Sequence, residues 1–185
     1  MTDDVGARVL GGAAAEFRKL RSLAERAVAQ VGDEAMLFRA LPPSSNSVAI
    51  LVKHMGGNLR SRWTDFLAAD GEKPWRERDR EFVIEPADTW ASLRERWDLG
   101  WDALLATLAS LGPADLARTV RIRGEAHTVL DAIDRALTHA AYHTGQIVLL
   151  SRLAAGESWT WLSVPPGATE DFNREMFAKH RSPPA

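Results

Sequence analysis

The chain has no cysteine. That absence removes disulfides, thiolate zinc sites, iron–sulfur clusters and a cysteine nucleophile together. Any metal must therefore be held by His, Asp, Glu or carbonyl oxygen. Long apolar runs are lacking as well, and none reaches the ~18 residues a membrane span requires. The first eight residues carry Asp3 and Asp4 and no apolar segment, so they do not read as a secretory signal. We expect a cytoplasmic protein with no membrane partner. An excess of positive charge is also missing: the net charge is −2 and the pI about 6.2. Domains that grip nucleic-acid phosphates usually carry a basic face, so no nucleic-acid partner is expected. Arg76, Arg78 and Arg80 alternate with Glu77, Asp79 and Glu81, which reads as a solvated loop of mixed charge. No Gly-x-Ser-x-Gly string and no phosphate-binding glycine loop occurs, which leaves Ser-His-Asp catalysis and nucleotide binding without support.

What remains is ordinary globular material. With 185 residues the chain can bury a core without staples. It reads as a single domain, with a core over about 9–156 and an ordered tail over about 157–180. Tryptophan is the exception, at seven residues. Rings of that size usually fill cores or interfaces, and one or two could stack on a ligand.

Apolar residues recur at helical spacing in four long stretches. Phe17, Leu20, Leu23, Ala24, Ala27, Val28 and Val31 mark a first helix over 9–31. A short segment over 33–41 follows, stopped by Pro42-Pro43. Ser45, Asn46 and Ser47 offer caps for a second helix over 47–69, with Val48, Val52, Met55, Leu59 and Phe66 as its stripe. Gly56-Gly57 sits inside it, either to admit another backbone or a ligand near His54, or as a tolerated bend. The stretch 70–88 is too long for a helix hairpin and suits a crossover in a four-helix bundle. A third helix over 90–110 carries Trp90, Leu93, Trp97, Trp101, Leu104 and Leu108 on one face. Alternation over 118–127 predicts a small β-hairpin or extended loop turning at Gly124-Glu125. Thr128 and Asp131 form a capping box for a fourth helix ending at Gly156, and a short C-terminal helix starts near Thr169. The expected fold is all-α: a four-helix bundle with a long crossover between its second and third helices.

Three of the five histidines fall in helix interiors. His139 and His143, four apart, stand on one helix face, one turn from each other. Two imidazoles so placed can bind one cation, with metal–nitrogen bonds of about 2.0–2.1 Å. At about 100° per residue both lie on the flank of the buried arc, among Ala132, Ala136 and Ala140. His54 and Asn58 lie on the corresponding flank of the second helix, so a third imidazole can arrive from a facing helix. The competing reading is three half-buried histidines satisfied by hydrogen bonds. Ala140 occupies the place of the metalloprotease Glu, which makes zincin chemistry unlike this chain. His127, in an expected turn, and His180, in the tail, read as surface residues.

Several strings at these positions are similar to a known group. They are Lys53-His54-Met55-Gly56-Gly57-Asn58, Trp63-Thr64-Asp65-Phe66-Leu67, Asp70-Gly71-Glu72-Lys73-Pro74-Trp75-Arg76, Ile122-Arg123-Gly124-Glu125 and His139-Ala140-Ala141-Tyr142-His143-Thr144-Gly145-Gln146-Ile147. Over residues 9–173 the chain resembles the DinB-like superfamily of four-helix metalloenzymes, which includes YfiT-like proteins, and within it the domain-of-unknown-function 1572 group. The resemblance implies a bundle with one crossover, often a homodimer, and a metal site at His54, His139 and His143. It gives no activity for this group. Some related members look like thiol-dependent transferases or isomerases that use low-molecular-weight thiols, and fold alone does not fix function.

These readings describe a divalent-metal-dependent enzyme, hydrolase-like or thiol-transferase-like, with Zn or Ni as the metal and a small molecule or thiol as substrate. Asn58 and Gln146 are candidates to orient water or substrate. Tyr142 is a candidate hydrogen-bond donor, although its helical angle sets it farther from the buried arc. No general base can be named. The alternatives are a non-catalytic metal or small-molecule binding protein of stress response, and a metal-free interaction module with Trp-rich faces.

Overall fold

The computed structural model describes residues 2–180. Its helices are α1 (Thr2–Val28), α2 (Ala35–Phe38), α3 (Val48–Trp63), α4 (Trp90–Ser110), α5 (Val129–Ala155) and α6 (Thr169–His180). Strands β1 (Thr119–Ile122) and β2 (Glu125–Thr128) pair antiparallel, with Val120 opposite His127. The expected first to fourth helices are α1, α3, α4 and α5.

Side-chain contacts fix the relative directions of these four. Arg21 donates to Asp98 and Asp102, while Glu25, one turn on, accepts from the Trp97 indole. Helices α1 and α4 therefore run antiparallel. Lys53 meets Asp88 just before α4, and Thr107 near its end donates to the Trp63 carbonyl. Helices α3 and α4 are thus parallel neighbours. Parallel neighbours cannot be joined by a tight turn, and this is why residues 64–89 form a long crossover. They fold back over α3, with a 3₁₀ turn at Arg78–Phe82.

Local chemistry explains most element boundaries. The Ser47 hydroxyl accepts the Ile50 N–H and opens α3. Reciprocal boxes, Thr89 with Ser92 and Thr128 with Asp131, open α4 and α5. Gly156, at φ +59°, closes α5. Three elements depart from the sequence reading. Helix α1 begins seven residues before the expected start at residue 9 and ends at Val28. Helix α3 stops at Trp63 and not near residue 69: Thr64 is extended, Asp65 takes φ +49°, and the turn lays Phe66 on Trp63 with ring centres 4.5 Å apart. Burying Phe66 as a stacked ring outweighs one more helical turn. The hairpin turns at Arg123-Gly124, both with positive φ, one residue ahead of the expected Gly124-Glu125.

The core is built on the predicted stripes. Trp63, Trp97 and Trp101 are buried, and Phe17 meets Trp63 and Trp101 edge-on at 6.4 and 6.3 Å. Trp75 and Trp161 are instead exposed, each beneath an arginine (Arg60 and Arg152). Among the described residues no helix is long and apolar enough to cross a membrane.

Two glycines bring α3 and α4 into backbone contact. A Cβ on Gly56 would stand 2.7 Å from the Arg96 carbonyl oxygen, and one on Gly100 would stand 2.6 Å from that of Gly56. Close backbone approach, not a bend, is thus the use of Gly56. Gly57 serves a different purpose, because a Cβ there would collide with the Glu81 carboxylate.

Candidate metal centre

Helix α3 contributes His54 and helix α5 contributes His139 and His143, with one helical turn between the last two. The three rings meet. His139 Nε2 lies 3.3 Å from His54 Nε2 and 3.2 Å from His143 Nε2. One ligand atom from each ring falls within 4.8 Å of the others, and His54 and His143 are buried. The group could hold a metal ion.

Hydrogen bonds at the far side of two rings decide which nitrogens carry protons. His54 Nδ1 faces Glu81 Oε2 at 2.8 Å, and a carboxylate only accepts, so Nδ1 carries the hydrogen. His143 Nδ1 likewise donates to Gln146 Oε1 at 2.8 Å. In the neutral rings both Nε2 atoms then present lone pairs. At most one of these can accept a proton from His139, so unshared pairs converge on one point. Ligands about 2.05 Å from a tetrahedral ion stand about 3.3 Å apart, and the two spacings quoted match that figure.

Electrostatics favour neutral rings. Burial, with His143 and His54 close by, pushes the pKa of His139 down to about 3. Burial also lowers His143, against the opposing effect of its bond to Gln146. Burial works against the Glu81 carboxylate, but hydrogen bonds from Arg76 and His54 outweigh it and hold its pKa below the ordinary range. Glu81 therefore stays charged behind His54, gripped at both oxygens by Arg76 at 2.8 and 2.9 Å.

This Arg76–Glu81 pair corrects the reading of the 76–81 stretch as wholly solvated. The Arg76 side chain is 2% exposed and that of Glu81 is 9%, whereas Arg78, Asp79 and Arg80 between them do face solvent. Phe82, at the end of the same 3₁₀ turn, packs on the His54 ring at 4.7 Å. Alternating charges concealed these residues. The available signal was Gly57, whose missing side chain makes room for Glu81. His127 is a second correction: it stands in β2 with its side chain 14% exposed, so it is not a surface turn residue. His180 is exposed.

The remaining candidates divide by role. Asn58 and Tyr142 line the cavity of about 530 Å³ onto which the three histidines open. Tyr142 is 64% exposed and sets its ring edge-on to His143 at 5.0 Å. Gln146 faces His143, so it orients that ring and is not among the residues lining the cavity.

The Asp70 string secures the cavity wall. The Asp70 carboxylate accepts the backbone N–H groups of Glu72, Arg123 and Gly124, tying the crossover to the hairpin turn. Gly71 N–H adds a bond to the Arg121 carbonyl. The hairpin thereby closes over the bundle end where Arg121, Ile122 and Arg123 line the cavity.

A four-helix bundle with a buried three-histidine cluster on a side cavity is the class of protein these features define. The chain belongs to the family described as "Protein of unknown function (DUF1572)", which it matches over residues 4–168, through all four bundle helices and up to the start of α6. No curated protein and no solved structure matches it.

Proposed function

We propose that the chain is a metal-dependent enzyme, hydrolase-like or thiol-transferase-like, with His54, His139 and His143 as the ligands of one divalent ion, Zn or Ni. The observation that carries this reading is the convergence of three Nε2 atoms, two with tautomers fixed by Glu81 and Gln146, at the wall of a cavity. A purely structural histidine cluster has no use for converging lone pairs. Three protein ligands and a cavity are the arrangement of a catalytic site, since closed structural sites take a fourth ligand from the protein. An ion held there supplies a Lewis acid with open positions, able to polarise a carbonyl or acidify water or a thiol.

The chain's own residues would do the rest. Glu81 and Arg76 orient His54, and Gln146 orients His143. Asn58 and Tyr142 can hydrogen-bond a bound molecule. Among the described residues no Asp or Glu lines the cavity, so its wall offers no carboxylate base. Placement in the DinB-like superfamily is supported by the strings quoted above and by the parallel pairing of α3 and α4 across one crossover. A homodimer belongs to the same reading, supported by exposed Leu149 and Leu153 on α5 and Phe172 and Phe177 on α6. Light scattering of the purified protein should give twice the chain mass.

Elemental analysis tests the central claim. The purified protein should carry close to one Zn or Ni per chain, and the double variant His139→Ala, His143→Ala should carry none while keeping its helical spectrum. Metal at stoichiometry in that variant, or none in the parent after incubation with Zn or Ni, would refute it. Metal without turnover in a substrate screen would move the protein to the non-catalytic binding class.

A further inference from the structure

The charge on the cavity wall is unlike that of the chain. Overall the protein is slightly acidic, at −2. The cavity, however, is lined by Arg62, Arg76, Arg78, Arg121, Arg123 and Arg135, with no Asp, Glu or Lys among the described residues. Among the described residues these six cations share three carboxylates, Glu72, Asp79 and Glu81. Arg76 bonds Glu81 through Nε and Nη2, and its Nη1 lies 3.6 Å from Glu72. Arg62 and Arg123 share the single carboxylate of Glu72, at 3.2 and 3.0 Å. Among the described residues the Arg121 side chain donates only to the Gly124 carbonyl. Among the described residues the one carboxylate near Arg78 is Asp79, itself fully exposed and 3.5 Å away. Arg135 has no acidic partner among the described residues.

Two of these arginines flank the histidines. Arg135 precedes His139 by four residues on α5 and so stands one turn from it on the same face. Arg78 lies over the Phe82 ring, at 5.0 Å, and Phe82 packs on His54. The guanidinium fork suits carboxylate and phosphate oxygens, stays charged at any working pH, and sheds water more readily than an ammonium. Rings of Trp63, Phe66, Phe82 and Tyr142 line the same cavity. Its volume of about 530 Å³ falls within the range of small-molecule sites.

We propose that this cavity binds a small organic oxyanion, a carboxylate or phosphate monoester on a flat apolar body. Arg78 and Arg135 hold the charged end and the aromatic wall holds the body. This names the substrate class for the site above and rests on that reading only for the other end, which faces the histidines.

Calorimetric titration of the full chain, zinc-loaded and metal-free, with benzoate, phenyl phosphate and benzamide tests the proposal. At least one anion should bind ten-fold or more tightly than neutral benzamide, and comparison of the two anions tells carboxylate from phosphate recognition. The double variant Arg78→Gln, Arg135→Gln should weaken the anion at least ten-fold without changing benzamide binding or zinc content. Both side chains are exposed, so the variant should fold, which its helical spectrum checks. Equal binding of benzamide, no binding of either anion, or anion binding indifferent to the double substitution would overturn the proposal. The last of these would assign the anion to the metal alone. Anion binding that survives in a protein unable to take up zinc would defeat the metal reading and leave this one standing.

Discussion

Glu81 shows how much one buried carboxylate controls. It fixes the tautomer of His54, keeps its own charge through Arg76, and occupies the space that Gly57 leaves empty. Second partners of this kind orient a histidine ligand and raise its basicity. Glu81→Gln keeps the shape and removes the charge. We expect metal affinity, measured by competition with a chelator, to fall about 10–100-fold with the fold intact; an unchanged affinity would mean that His54 is held by packing alone. Spacing made His139 and His143 legible as a pair in the sequence, because i, i+4 on a helix is a geometric statement; His54 was legible as a histidine on the flank of its own helix and through the family resemblance. Glu81 was not legible, since the ring it orients, His54, lies 27 residues away in the chain, and its neighbours Asp79 and Arg80 do face solvent.

At the scale of elements, the contact between α3 and α4 depends on glycine. A Cβ at Gly100 would meet the Gly56 carbonyl oxygen, which is backbone and cannot rotate aside. Gly100→Ala should therefore cost about 1–3 kcal/mol by overpacking, despite the better helix propensity of alanine. Gly145 on α5 provides the control, having nothing within 4 Å of a Cβ. Gly145→Ala should stabilise by about 0.5–1 kcal/mol. Urea titration of the two variants should move in opposite directions. The start of α4 rests on another buried contact, Lys53 with Asp88 at 2.6 Å. Burial opposes the Asp88 charge, but the bonds from Lys53 and the Glu85 N–H outweigh it and hold the pKa below its ordinary value. A depressed carboxylate stabilises fully above its unfolded pKa of about 3.9, and this contribution is lost as pH falls through the folded value. Stability in urea should fall below about pH 4. Asp88→Asn, which leaves buried Lys53 only the longer contact to Glu85 at 3.6 Å, should cost about 3 kcal/mol at neutral pH, the low end for breaking a buried pair, and flatten that acid dependence.

For the whole molecule, an ion held by His54 from α3 and by two histidines from α5 ties two helices that the crossover and the hairpin otherwise link. Zinc at about 100 times its dissociation constant should add about 2.7 kcal/mol, or roughly 5–10 °C in melting temperature for a chain of this size. A chelator should remove the shift, and the His139→Ala, His143→Ala variant should not show it. The sequence by itself determined the bundle: apolar periodicity, capping boxes and the stop at Gly156 are local, so each helix was readable from its own residues. It also determined two of the three histidine positions relative to each other, because they share one helix. Only the tertiary structure decided that His54 closes the triangle, that α3 ends early so that Phe66 can stack on Trp63, and that arginines from four separate segments surround one cavity. Those facts depend on which distant segments the core brings together, and no local pattern along the chain encodes that pairing.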